Sequence, residues 1–158
     1  MPLACVRIMW EHIDRKESGM KFVSKSWGYE LWIENNKDYC GKHLHVMPDH
    51  WCSFHYHKNK KETFYVISGE LLLAHAPYSD DLAKNLREKP NPRYDWESNY
   101  KRKSCFYYRF KTEVLKKGDS LTIEPYILHT FTSNTSAPCD FVEISTFHED
   151  SDSIRVWS

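Results

Sequence analysis

Closely spaced cysteines are missing from this chain of 158 residues. Cys5, Cys40, Cys52, Cys105 and Cys139 are scattered and odd in number, and no CxxC occurs. That excludes a thiolate zinc site of the usual spacing and points to a reducing compartment. An excess of one charge is also missing, because 22 Lys and Arg balance 22 Asp and Glu. No net field therefore draws in nucleic acid or an anionic membrane, and neither is expected as a partner. No apolar run approaches a membrane span. The opening MPLACVRIMWEHIDRKE lacks a basic-then-apolar leader and meets charge by Arg7, so a cytoplasmic location is expected. Repeats and low-complexity stretches are lacking too.

What remains is a chain of the right size for one domain, 1–158. Aromatics reach 15%, which favours β structure, where flat side chains pack on a pleated surface. Strands are expected over Tyr29–Glu34, Tyr39–Pro48, Trp51–His57, Thr63–Ser68, Glu70–His75, Ser120–Glu124, His129–Ser133 and Cys139–Phe147, with turn residues between them. Gly69 marks a tight bend. The segment FYYRFKT from Phe106 supplies a further strand, with Arg109 on one face. Residues 77–104 interrupt the rhythm as a long inserted loop with one or two helical turns, read either as a lid or as a surface excursion. Short strands at this spacing imply an all-β barrel or sandwich: an arm over 1–26, a barrel over 27–147 and a tail over 148–158.

The chemistry-bearing stretch is His55-Tyr-His57-Lys-Asn-Lys-Lys-Glu62 followed by Gly69. On a strand, residues two apart share a face, so His55 and His57 project together. Two neighbouring buried imidazoles need something to gather their lone pairs, and a metal ion does so. Glu62 follows after a turn. A second stretch runs Gly118-Asp119-Ser-Leu-Thr-Ile-Glu-Pro125-Tyr-Ile-Leu-His129. Spacing alone does not bring His129 to His55.

Together these stretches resemble the paired motifs of cupins, over roughly Lys25 to Phe147. The first matches HxH, four residues, Glu, six residues, Gly; the second matches Gly-Asp, an alternating strand, Pro, then His. Tyr126 stands where the second motif usually has Gly. The resemblance implies a double-stranded β-helix, or jelly-roll barrel, with His55, His57, Glu62 and His129 as ligands of one divalent metal ion. Three imidazoles and a carboxylate leave about two of six positions open, which suits Zn, Mn, Fe, Ni or Co alike.

Upstream, Ser26-Trp27-Gly28-Tyr29-Glu30 and Cys40-Gly41-Lys42-His43-Leu44 resemble the cupin domain of type II mannose-6-phosphate isomerases, with Ser26 in place of Pro and His55 in place of the common Gln. That resemblance implies a sugar or sugar-phosphate isomerase, with a metal-stabilised enediolate. Glu143, on the last expected strand, is the candidate base, and reads equally as an exposed strand carboxylate. Lys42 and Arg109 are candidates for holding a phosphate, Lys42 also within the catalytic set. Trp27 and Tyr29 are candidates for stacking on the sugar. A metal-dependent dioxygenase and a non-catalytic sugar-binding cupin are the alternatives. Cupins commonly pair, so a homodimer is expected.

Overall fold

The computed structural model describes residues 20–88 and 110–157. Arg109, most of the expected strand from Phe106, and the larger part of the 1–26 arm and the 77–104 insertion lie outside them.

Among the described residues, eleven strands and one α-helix follow in order: β1 (Lys21–Lys25), β2 (Gly28–Asn35), β3 (Cys40–Val46), β4 (Phe54–His57), β5 (Glu62–Ser68), β6 (Glu70–Pro77), α1 (Asp80–Glu88), β7 (Lys111–Lys116), β8 (Ser120–Ile123), β9 (Ile127–Ser133), β10 (Cys139–Ser145) and β11 (Ser153–Trp157), with a short 3-10 turn at Asp150–Asp152 before β11. They form two antiparallel sheets, in the order β1-β2-β3-β10-β5-β8 and β11-β4-β9-β6-β7. The expected all-β double-stranded β-helix is the observed fold.

Strict alternation explains the first sheet. In β3, Cys40, Lys42, Leu44 and Val46 are buried while the residues between them are half-exposed, and β10 repeats this with Cys139, Phe141, Glu143 and Ser145. The apolar members meet Trp27, Phe64, Leu71, Leu73 and Phe131 in a core between the sheets. Two of the alternating positions, Lys42 and Glu143, are charged, and they face each other across the β3–β10 pairing. At that end of the barrel the lining turns from apolar to ionic.

The second sheet is covered on both sides. Its outer face carries α1, whose Leu82, Ala83 and Leu86 pack with Phe54, Tyr56, Leu128 and Val156. The helical turns expected within 77–104 are observed as a nine-residue helix whose apolar face belongs to the core. Burial from both sides is also why β9 loses its alternation.

Two differences concern the limits of the barrel. β1 falls within the expected arm and β11 within the expected tail, so paired strands flank the expected 27–147 barrel at both ends. Gly69 does not join a hairpin. It turns the chain from β5 in one sheet to β6 in the other, at φ +75°, and a Cβ there would meet the Pro138 carbonyl oxygen at 2.5 Å.

Candidate metal centre

β4 brings His55 and His57 to one end of the cavity, both buried, with Tyr56 between them turned to the opposite core. Antiparallel pairing of β4 with β9 sets His55 directly opposite His129. Glu62 opens β5. One potential ligand atom from each of these four buried residues lies within 4.8 Å of the others, so the cluster could hold one metal ion.

The orientation of each imidazole follows from its hydrogen bonds. Nδ1 donates to a main-chain carbonyl in every case: Ser53 for His55 at 2.9 Å, Asp152 for His57 at 3.2 Å and Ile127 for His129 at 2.9 Å. A carbonyl only accepts, so Nδ1 carries a proton and Nε2 is the atom that keeps the lone pair in a neutral ring. Burial, with the neighbouring imidazoles, holds the His55 pKa well below its usual value. For His57, burial outweighs the pull of Glu62 and the value falls to about 4. Both rings are thus neutral, as a metal ligand requires. Nε2 of His129 and Oε1 of Glu62 are buried without a hydrogen-bond partner. Orphaned buried acceptors are rare, and a divalent cation satisfies both, so the donor set fits the group.

An ionic ladder runs from this cluster along the cavity wall. Lys60 Nζ, buried, lies 2.6 Å from Glu62 Oε2 and 2.5 Å from Glu143 Oε1. Lys42 Nζ stands 3.8 Å from Glu143 and 3.7 Å from Glu30. Glu30 also accepts from Trp32 Nε1 at 2.8 Å. Burial pushes the Glu143 carboxyl up, but Lys60 and then Lys42 pull harder, and the net shift is downward. Glu62 follows the same pattern, with burial overcome by Lys60 and the imidazoles. Cys52 lines the same space, where burial pushes its thiol up to about 12, and it is not one of the four residues whose ligand atoms gather.

Trp27, Lys42 and Glu143 line the same cavity, of about 630 Å³, as His55, His57 and Glu62. Tyr29 does not line it. The strand's alternation sends Glu30 and Trp32 inward and Tyr29 outward, where its ring stacks on His45 at 4.8 Å. Lys42, 1% exposed, is engaged by two carboxylates, so it presents no free cation to a phosphate. Lys60 was missed in the sequence. The available signal was its position two residues before Glu62, the same-face spacing that singled out His55 and His57. Glu30 and Asp152 had no such signal.

A double-stranded β-helix with three histidines and a glutamate gathered at one end of its barrel defines a cupin. Solved structures share this fold at low identity. The capsular polysaccharide assembling protein CapF of Staphylococcus aureus superposes with a TM-score of 0.66 at 12% identity, covering 90% of this chain and 34% of that one. Oxalate decarboxylase of Lactobacillus farciminis gives 0.57 at 13% identity, over 81% and 31%. L-ribose isomerase of Cellulomonas parahominis gives 0.57 at 19% identity, over 80% and 68%. The chain thus spans about a third of the length of the first two. No curated protein matches it in sequence. Within the cupins, the chain belongs to the D-lyxose isomerase family, whose model matches residues 16–155.

Proposed function

We propose that this protein is a metal-dependent aldose–ketose isomerase acting on a free small sugar. The observation that carries this reading is the buried Lys60, clamped between Glu62 and Glu143 beside three Nε2 lone pairs. Membership of the D-lyxose isomerase family supports the same reaction class. The finer resemblance to mannose-6-phosphate isomerases favours a phosphorylated substrate, and the charge balance at the buried end of the cavity argues against a phosphate placed there. Its buried cations, Lys42 and Lys60, are already matched by Glu30, Glu62 and Glu143. A phosphate dianion would find no uncompensated partner at that buried end; Lys21, Lys25 and Arg155 also line the cavity, away from these paired lysines in sequence.

A bound divalent ion supplies Lewis acidity to the sugar carbonyl and its neighbouring hydroxyl. Glu143 is ionised because Lys60 and Lys42 outweigh its burial, so it is ready to take a proton from carbon 2 of an aldose and return it to carbon 1. Lys60 stays protonated, since the two carboxylates raise its pKa against the effect of burial. It thereby separates the negative charges of Glu62 and Glu143. Trp27, Phe64 and Phe131 wall the cavity and limit water beside the reacting carbons.

The test is an anaerobic incubation with D-lyxose, other pentoses and sugar phosphates, with each candidate metal supplied in turn. Interconversion of aldose and ketose, with solvent deuterium incorporated at carbon 1, is the expected result. Absence of interconversion with every metal overturns the reading, and turnover only with oxygen favours a dioxygenase. A homodimer is part of the same proposal. Exposed Phe22, Tyr65 and Ile144 on the outer face of the six-stranded sheet support it. A monomer mass by light scattering at micromolar concentration overturns that part.

A further inference from the structure

Asp152 is buried immediately before β11, far in sequence from the residues it touches. Its Oδ1 accepts main-chain N–H bonds from Lys58 at 3.0 Å and Asn59 at 3.1 Å, and its Oδ2 accepts one from Lys60 at 2.9 Å. The Asn59 side-chain amide adds a fourth donor at 3.2 Å. Three successive amides converging on one carboxylate make a concave anion nest. The main-chain carbonyl of Asp152 accepts the Nδ1 proton of His57. Ser153, next in the chain, pairs with His57 in the β11–β4 ladder.

One residue thus grips both sides of the same segment. The loop it organises, 58–61, joins His57 to Glu62 and carries Lys60. Without the carboxylate, three inward amides lose their acceptor, and a buried unsatisfied donor destabilises the conformation that holds it. The loop would then rotate those amides toward water, moving Lys60 and the start of β5 with them. We propose that Asp152 is a positioning residue for the metal centre, which sets the spacing between His57 and Glu62 through this loop and fixes the His57 ring through its carbonyl. This rests on the metal reading of the cluster and is independent of which reaction the ion serves.

The test is a titration of the metal-free protein with Co(II), followed by visible absorption, in wild type, Asp152→Asn and Asn59→Ala. Asn keeps the size of the side chain but offers one acceptor oxygen and turns an NH2 group toward an amide N–H. Partners of ligand residues change metal affinity by about 10- to 100-fold when altered, and that weakening is expected for Asp152→Asn, with a changed Co(II) spectrum. Asn59→Ala removes one exposed donor, folds normally, and is expected to weaken binding by about two- to fivefold. Unchanged affinity and spectrum in Asp152→Asn, with only thermal stability lost, overturns the proposal. If Asp152→Asn fails to fold, unchanged affinity in Asn59→Ala overturns it. A wild type that binds no Co(II) overturns the metal reading, and this proposal with it.

Discussion

Nε2 of His129 stands 2.9 Å from Oε1 of Glu62, and both atoms are buried with no other hydrogen-bond partner. His129 donates its Nδ1 proton to Ile127, so in a neutral ring a nitrogen lone pair faces a carboxylate lone pair in the dry interior. Such a pair repels unless a cation lies near both. A divalent cation held between the two atoms would remove that repulsion.

Replacing His129 by Ala should reduce the metal content from one ion per chain to nearly none, read by elemental analysis. The metal-free form should keep its melting temperature within about 5 °C, because relief of the repulsion offsets the lost packing. Unfolding of the variant would mean that the ring supports the core rather than an ion.

Glu143→Gln keeps the shape of the side chain and removes the base. Turnover should fall by about 10²- to 10⁴-fold, with KM and metal content little changed. A variant with wild-type kcat would move the proton-transfer role to another carboxylate.

Lys60→Met leaves two buried carboxylates without their shared cation. Breaking a buried pair costs about 3–5 kcal/mol, to be measured by urea unfolding of the metal-free protein. The double variant Lys60→Met/Glu143→Gln should recover part of that loss, since one unpaired charge has gone. Equal stabilities for the two variants would show that the ion pairs contribute little.

The pH dependence of stability follows from the Glu143 carboxyl, whose pKa is depressed on folding. A depressed acid contributes stability that is full above its unfolded pKa, about 4.3, and lost as pH falls through the lower folded value. The stability difference between wild type and Glu143→Gln should therefore hold from neutral pH down to about 5 and shrink below that. Urea midpoints across pH 3–8 read it directly. A difference that grows on acidification contradicts the assigned direction.

Gly28→Ala should be strongly destabilising. The backbone there has φ +147°, and a Cβ would stand 1.8 Å from the main-chain oxygen of His45 on the paired strand. Neither backbone can withdraw without breaking the β2–β3 ladder, so a loss above about 2 kcal/mol, or failure to fold, is expected. Wild-type stability for this variant would show that the two strands separate easily at that point.

Much of the His/Glu cluster was legible before any coordinates. His55 and His57 share a face because strand side chains repeat every two residues, and β4 keeps that period. The Gly position of the second motif was legible too, although Tyr126 occupies it: the residue adopts φ +61° there, and its N–H bonds the His57 carbonyl. Lys60 carried the same two-residue signal toward Glu62. Its meaning needed Glu143, which lies 83 positions away in sequence.

Local periodicity and turn chemistry act over a few residues, and these determined the strands, the paired histidines and the barrel class. Contacts between distant strands depend on sheet order and register. Only the folded chain therefore decided that His129 lies opposite His55, that Tyr29 faces away from the cavity, and that Asp152 closes on the loop beside His57. Sequence specifies which face a residue takes on its own strand; packing selects the strand that lies against it.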